Sequence, residues 1–266
     1  MKDSKTSKVI FLIIFAVYML VPILATYMFS VAVRWDRTIL PEGYTLKWYA
    51  ETFHHPYFII ALKNSLFLAL YTVVLNLVLI VPAAYIAHTR LPGAKMPMDL
   101  LTILPFGIPR VILALALITV FTIRPIARSP FLLVSACTVF SMPYMYRPIA
   151  NSLEAMDLRT INDAARLQGA SASQILLYII GPNILTGIVS GSLLVYSAIF
   201  AEYTLAVLIT GARFKTLPML LVEFTRRDGR IASAISVTAF TIAMFLSLAI
   251  IFIARKREHG QGKEKV

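Results

Sequence analysis

Long apolar runs separated by short polar stretches form the dominant pattern of this chain. A membrane-spanning helix needs about 20 apolar residues, and six runs approach or exceed that length. They are residues 9–33, 64–87, 98–123, 130–148, 182–209 and 231–254. Because a backbone within lipid must satisfy its own hydrogen bonds, we expect each run to be helical. The pattern predicts an all-α membrane protein with about six transmembrane helices.

Both ends of the chain carry basic and polar residues. The first apolar run follows Lys2, Lys5 and Lys8 as in a signal peptide, but it continues to about Val33, beyond the length of a typical signal sequence. We therefore expect it to be retained as the first span. The tail, residues 259–266, is mostly polar and is predicted to be disordered.

Two prolines, Pro105 and Pro109, lie inside the third run. Proline lacks a backbone N–H, and its ring clashes with the preceding turn of a helix. We therefore expect this span to be kinked or broken.

Composition indicates that lipid covers most of the molecule. Of the 266 residues, 59% are hydrophobic and 14% are charged, and a soluble domain of this length could not hide so much apolar surface. The length suits one membrane domain, residues 1–266, without a fused ATPase or soluble receptor. Much of the net charge of +12 lies in loops and tails, where it favours lipid headgroups over nucleic acid. The only cysteine, Cys137, allows no intrachain disulfide and no multi-thiolate metal site.

The orientation in the membrane is not settled by charge. Six spans place both termini on one side, and the loops of the two sides carry nearly equal numbers of Lys and Arg. The positive-inside rule therefore favours cytoplasmic termini only slightly.

A polar segment rich in small residues, 151–181, separates the fourth and fifth runs. Thr160 and Asp163 have the spacing of a capping box, which predicts a helix that begins at about Ile161. Gly169 would supply the left-handed residue that ends this helix after about two turns. A helix this short is not stable alone, so it needs packing partners.

A second capping box, Ser171 to Gln174, follows the glycine and predicts another helix that reaches Pro182. On the first helix, Ala165 shares a face with Ile161 and Gly169, and Ala164 lies beside them. Two interpretations are open. Small side chains let another backbone approach closely, as in a docking site, but the helix would equally suit the headgroup region as a plain amphipathic helix.

Two ionisable residues lie within the apolar runs and away from their ends: Arg110, after Pro109 in the third run, and Glu202 in the fifth run. Charges within lipid are costly and usually pair or line a polar path. One interpretation places both on a translocation pathway, either as a pair or separately. In the other, Arg110 reaches the outer interface and Glu202 makes a structural hydrogen bond.

Two smaller patterns also have alternative interpretations. Gly187 and Gly191 form a narrow face in the fifth run, which suits either contact with another subunit or packing within the chain. His54 and His55 are adjacent but lack a clear third ligand, so we assign them to the membrane interface and expect no metal site. No nucleophile–base arrangement stands out, and we assign no catalytic residue.

The polar segment resembles the EAA signature of bacterial binding-protein-dependent ABC importer permeases. That signature reads Glu-Ala-Ala, three residues, Gly, nine residues, Ile, one residue and Leu-Pro. The matching positions are Asp163, Ala164, Ala165, Gly169, Ile179 and Pro182. Asp163 replaces the usual Glu and Gly181 replaces the usual Leu. Further similar positions, including 64–66, 83–85, 104–105, 143 and 201–203, extend the resemblance over roughly residues 44–255.

The resemblance implies the ABC type I importer permease fold, with a core at about residues 57–255. It implies that the six matching residues couple this chain to an ATPase subunit, through a helix that seats in a groove of that subunit. It also implies that residues 151–181 and both termini are cytoplasmic. The implied location is the bacterial plasma membrane. The implied partners are two ATP-binding subunits, a second permease subunit (identical or different) and an extracytoplasmic solute-binding protein. ATP would bind to the partner subunits, and this chain would hold no cofactor.

Two other classes of membrane protein were weighed. An ion-coupled secondary transporter should show an inverted repeat with paired broken helices, and an intramembrane enzyme should show catalytic residues at span depth. The sequence shows neither, so we expect a transporter subunit and not an enzyme. The segment 44–49 and the length of the chain are similar to those of permeases that import polyamines, ferric iron or aminoalkylphosphonates. A sugar importer remains the alternative.

Overall fold

The protein is predominantly helical in the part of the chain, residues 3–263, that its computed structural model describes; side chains are described for residues 7–91 and 93–252. Within this part there is no β-strand, and one isolated bridge joins Ala32 to Tyr44. The helices are α1 (Asp3–Val31), α2 (Lys47–His54), α3 (Phe58–Thr89), α4 (Lys95–Ile103), α5 (Arg110–Val120), α6 (Pro130–Glu154), α7 (Leu158–Leu167), α8 (Ala172–Gln174), α9 (Gly181–Asn183), α10 (Leu185–Phe200), α11 (Thr204–Ile209), α12 (Leu217–Thr225) and α13 (Gly229–Lys263).

Among the described residues, three helices, α1, α3 and α13, are long and apolar enough to cross a membrane, and the number rises to five if each of two bent helix pairs is one span. The predicted fourth run is also a single helix, α6, of 25 residues. Its proline and polar positions make it less apolar, and it is largely covered by protein. These elements occupy the six stretches that the sequence predicts.

The expected break in the third run is present. α4 leads into a 3₁₀ turn at Leu104–Gly107, and α5 begins at Arg110 with an axis bent by 95° from the preceding segment. Pro105 lies within the turn and Pro109 precedes α5, where the missing N–H costs no helical hydrogen bond.

The fifth run, residues 182–209, is helical but is not one continuous helix. α9 ends at Asn183, and the chain bends by 78° before α10. A second break at residues 201–203 separates α10 from α11. Here a carboxylate oxygen of Glu202 accepts the N–H of Leu205, which has no helical acceptor at the start of α11. Hydropathy averaged over the run gave no sign of either break, although Asn183 and Glu202 stand at the two breaks.

The packing of α10 against α6 explains the pair of glycines. A Cβ atom at Gly187 would lie 2.6 Å from the carbonyl oxygen of Pro148, and one at Gly191 would lie 2.9 Å from the Met145 sulfur. Both glycines are buried. The small-residue face is therefore filled within the chain, as the second interpretation of this pattern holds.

The described chain divides into two compact units, one formed by residues up to 59 with residues 219–242, the other by residues 60–218 with those from 243 onward. In the first unit the buried Trp48 indole donates to the Ala32 carbonyl at 2.8 Å. The Arg230 guanidinium lies 4.2 Å above that indole ring and donates to the Val33 carbonyl. Arg230 also hydrogen-bonds Asp228, which lowers the pKa of that carboxyl group.

The C-terminal helix α13 extends to Lys263, within the tail that the sequence predicts to be disordered. Residues 264–266 of that tail lie outside the described residues.

Candidate functional site

The first helix of the polar segment is α7, and it begins earlier than predicted. Asp157 is its N-cap residue, and the Asp157 carboxylate accepts the N–H of Thr160 at 3.3 Å. The same hydrogen bonding lowers the pKa of Asp157. The predicted start at about Ile161, capped by Thr160, is therefore wrong. The Asp157 carboxylate, three positions before Thr160, caps a helix as well as a threonine hydroxyl does.

The predicted end of α7 is confirmed. Gly169 has a φ of +80°, and its N–H donates to the Arg166 carbonyl at 2.9 Å. The N–H of Ala170 reaches back to the Ala165 carbonyl at 3.1 Å. These two bonds form a Schellman motif, which satisfies carbonyls that the helix end would otherwise leave without donors.

The second capping box is also confirmed. The Gln174 side chain accepts the N–H of Ser171 at 2.8 Å, and the Ser171 hydroxyl accepts the N–H of Gln174 at 3.4 Å. α8 begins there, and the chain remains helical to Asn183. The sharp turn between the two helices is thus fixed from both sides.

Between α8 and α9 the helix widens into a π-helical turn at Ile175–Ile180. The N–H of Gly181 closes this turn on the Leu176 carbonyl, and a Cβ atom at Gly181 would lie 2.9 Å from that oxygen. Pro182 follows directly, where its ring would clash with the carbonyl four residues earlier in a regular α-helix. The glycine that replaces the usual Leu therefore stands where the helix backbone is crowded.

The two faces of α7 differ sharply in exposure. Leu158, Asn162 and Ala165 are buried against the rest of the chain. The exposed residues of the helix include Asp163, Ala164, Arg166 and Leu167. Leu167 is 90% exposed, so the exposed side of the helix carries an apolar side chain. Sequence analysis did not single it out, although its place beside Arg166 in a polar segment was a signal.

The structure divides the predicted coupling residues between these environments. Asp163, Ala164 and Gly169 are exposed, whereas Ala165 is buried within the chain. The remaining two are half-buried on the second helix: Ile179 and Pro182. The sequence predicts that Ala165 and Gly169 share one face of the helix, but Ala165 lies on the buried face of α7.

A buried hydrogen bond ties α7 to the end of α3. The Tyr85 hydroxyl donates to the side-chain oxygen of Asn162, and both residues are buried. The Asn162 amide in turn donates to the Leu158 carbonyl at 2.7 Å. Since α7 has only 10 residues, its orientation depends on such tertiary contacts.

Two cavities flank α7. One, of about 380 Å³, is lined by His88, Thr89, Leu158, Arg159, Asn162, Asp163 and Arg166. The other, of about 310 Å³, lies below the Schellman turn and is lined by Gln168, Gly169, Ala170, Gln174, Tyr178 and Ile179. The segment thus presents an exposed ridge between two recesses, a shape that suits docking on another protein.

The two ionisable residues of the apolar runs form an ion pair. Arg110 Nη1 donates to Glu202 Oε2 at 2.8 Å, and the Glu202 side chain is fully buried. The guanidinium lies 4.3 Å above the ring of Phe140. With a rise of about 1.5 Å per residue, Phe140 is about 15 Å from the start of α6 and about 21 Å from its end. Arg110 therefore lies at mid-depth of this helix and does not extend toward either end.

An aromatic cluster lies against Arg110, one member of the ion pair. The Phe106 ring lies 5.0 Å from that of Phe140 and 5.3 Å from that of Tyr144. Phe106 comes from the 3₁₀ turn before α5, so the break in the third run brings this ring and Arg110 together.

The adjacent histidines make separate contacts. His54 bonds the Ala50 carbonyl through Nδ1 at 2.7 Å, and the His55 ring meets that of Phe224 edge-on at 5.1 Å. Within the described residues no group of three His, Cys, Asp or Glu side chains is arranged to hold a metal ion.

Comparisons with curated proteins give relatives of moderate identity. A "Probable ABC transporter permease protein" of Sinorhizobium fredii is 25% identical over 94% of this chain, which spans only 45% of that longer protein. The "Spermidine/putrescine transport system permease protein PotC" of Haemophilus influenzae is 26% identical over 82% of this chain and 85% of its own length. The "Molybdate/tungstate transport system permease protein WtpB" of Thermococcus kodakarensis is 29% identical over 81% of this chain and 85% of its own.

A solved structure shares the fold. It is that of a bacterial ABC transporter involved in the import of the acidic polysaccharide alginate. The two chains superpose with a TM-score of 0.74 over 94% of this chain and 95% of the other, and they are 19% identical in sequence. In addition, a family model described as "Binding-protein-dependent transport system inner membrane component" matches residues 80–257, more than half of the chain. The chain therefore belongs to the family of binding-protein-dependent transport system inner membrane components, the permease subunits of ABC importers.

Proposed function

We propose that this chain forms one half of the translocation pathway of an ATP-driven importer and that α7 transmits the motion of an ATP-binding subunit to it. The observation that carries the proposal is the construction of α7. The helix is capped at both ends, tied to α3 by one buried hydrogen bond, and exposes Ala164 and Leu167 between two recesses. A ridge of this kind suits a groove on a soluble partner.

The proposed assembly contains two ATP-binding subunits, a second permease subunit of identical or different sequence, and an extracytoplasmic solute-binding protein. ATP would be bound and hydrolysed by the partner subunits, and this chain would carry no catalytic residue of its own. This arrangement places α7 and both termini in the cytoplasm of a bacterial cell.

The proposed solute is small and either polar or charged. A polyamine, ferric iron or an aminoalkylphosphonate fits the resemblance, and the relatives named above include a spermidine/putrescine and a molybdate/tungstate permease. A sugar importer is the alternative, which the fold shared with a transporter involved in alginate import keeps open.

The family match, and not the pattern of helices expected from the sequence, argues against an ion-coupled transporter. The structure contains two sharply bent helix pairs, so the absence of broken helices does not separate this chain from that class. The family match and a relative named as an ABC transporter permease support the ATP-driven class instead.

The test replaces Ala164 by Trp, which places a large side chain on the exposed ridge without touching the buried face of α7. Ala155→Trp is the matched control, because Ala155 is exposed after α6 and outside the ridge. We expect the co-expressed ATP-binding subunit to co-purify with the wild type and with A155W, and its recovery to fall about tenfold or more with A164W. Equal recovery with all three proteins would contradict the proposed docking site.

A further inference from the structure

We propose that the unoccupied side of the Arg110 guanidinium binds an anionic oxygen group of the solute, such as a phosphonate, carboxylate or tetrahedral oxyanion. The inference deepens the proposed function and rests on it, since it names the solute class that the pathway receives. It is carried by Arg110, Glu202, and the aromatic cluster of Phe106, Phe140 and Tyr144.

Arg110 retains donors for a ligand. Its Nη1 atom bonds Glu202, and no other acceptor among the described residues contacts the guanidinium. The Arg110 side chain is 38% exposed. A guanidinium presents five N–H donors in a planar fork that matches an oxyanion with two parallel hydrogen bonds. One edge is thus held by Glu202, while the remaining N–H groups point away from it.

Glu202, in contrast, has no room for a cationic solute. Its Oε2 atom accepts from Arg110 and its Oε1 atom accepts the N–H of Leu205 at 2.8 Å. Its side chain has no exposed surface. A polyamine or metal cation could reach this carboxylate only after breaking the ion pair, which would leave Arg110 without its counter-charge. The pair therefore orients the arginine and does not form a cation site.

The backbone adds positive potential on the same side. Arg110 is the first residue of α5, an 11-residue helix whose N-cap residue Pro109 provides no side-chain cap. The first N–H groups of such a helix have no intrahelical acceptor, and the helix dipole places partial positive charge there. Because the charges of Arg110 and Glu202 nearly cancel, this dipole and the free guanidinium edge make the local potential favourable to an anion.

The depth of the pair fits a pathway. A partly exposed guanidinium at mid-depth of α6 would be costly against hydrocarbon, so its exposed edge requires water, protein or solute. The face of the guanidinium is covered by Phe140, and Phe106 extends the same wall. An anion would therefore approach along the plane of the guanidinium, where its hydrogen bonds are directional.

The test measures ligand binding to the membrane complex of this chain with its co-expressed partner permease and ATP-binding subunits, without the soluble binding protein. The probes are 2-aminoethylphosphonate, molybdate and, as the cationic comparison, spermidine. Binding is followed by the shift of the thermal unfolding midpoint over a concentration series. Arg110→Gln removes the charge, and Arg110→Lys keeps the charge but loses the planar fork.

We expect at least one oxyanion to bind the wild-type complex more tightly than spermidine does. Its apparent Kd should rise about tenfold or more in R110Q and by a smaller factor in R110K. If R110Q fails to assemble, two measurements still test the inference. The oxyanion should bind wild type more tightly than R110K, and wild type should bind the oxyanion more tightly than spermidine. Spermidine binding more tightly than both oxyanions, or equal oxyanion binding by wild type and R110K, would overturn the inference.

The outcome can be told apart from a failure of the proposed function. If the ATP-binding subunit co-purifies with the wild type but no oxyanion binds, the solute class is wrong and the proposed function stands. If the subunit does not co-purify, the proposed function itself fails, whatever the anion measurements show.

Discussion

The hydrogen bond between Tyr85 and Asn162 gives a sharp prediction about coupling. Tyr85→Phe removes one hydroxyl group and leaves the ring of the buried residue in place. The side-chain oxygen of Asn162 then loses its donor while it remains buried. An unsatisfied buried acceptor costs about 1 to 3 kcal/mol.

Most of this cost should fall on α7. The helix is too short to be stable alone, and its N-cap and Schellman turn hold its ends but do not attach its middle to α3. A cost of about 1 to 3 kcal/mol corresponds to a roughly five- to 150-fold increase in local opening. We therefore expect α7 to open locally more often while the rest of the chain keeps its stability.

Two measurements test this prediction. Amide hydrogen exchange over residues 158–167 should accelerate in Y85F by a factor in that range, and ATP hydrolysis by the assembled complex should respond less to the solute-loaded binding protein. Tyr18→Phe is the matched control, because the Tyr18 side chain is 70% exposed and lines neither recess. Unchanged exchange over α7 and unchanged coupling in Y85F would refute the argument that this hydrogen bond holds the helix.

Two further predictions concern stability. Gly187→Val should lower the thermal unfolding midpoint in detergent, because its Cβ would lie 2.6 Å from the Pro148 carbonyl oxygen. Such overpacking of a core costs about 1 to 3 kcal/mol. Ser190→Val, on the exposed side of α10, should leave the midpoint unchanged. Asp228→Asn should destabilise the protein by under about 1 kcal/mol at neutral pH, because Arg230 lowers the pKa of Asp228 below the unfolded value of about 3.9. That stabilisation is present above the unfolded pKa and is lost as the pH falls through the folded pKa, so melting curves of wild type and D228N should converge in acid. Curves that stay equally far apart at pH 3 would exclude this pair as the cause.

The sequence was most informative where a local rule decides the structure. Apolar runs of sufficient length predict helices in lipid, and Pro105 with Pro109 predicts the break in the third run. Gly169 predicts the end of α7 because few other residues adopt a positive φ without strain. These features depend on a few neighbouring residues and on no distant contact.

The sequence was least informative where the structure depends on distant residues. Arg110 and Glu202 are 92 positions apart, and Tyr85 and Asn162 are 77 positions apart. Neither pairing follows from periodicity, since the bend between α4 and α5 and the break before α11 bring Arg110 and Glu202 together. Burial of Ala165 had the same cause, because the tertiary contacts of α7, and not its composition, decide which of its faces is exposed.

The residues of the EAA-like signature therefore divide into two physical groups. Asp163 and Ala164 lie on the exposed side of α7, where a partner can meet them, while Ala165 packs inward and also supplies the carbonyl that closes the Schellman turn. Gly169 and Pro182 set the backbone, one through its positive φ and the other through the π-helical turn that precedes it. Substitutions in the first group should weaken docking with little change in stability, whereas those in the second should displace the exposed ridge itself. The fixed spacing of the signature is then a geometric requirement. It keeps the exposed Asp163 and Ala164 at a constant distance from the helix that enters the membrane.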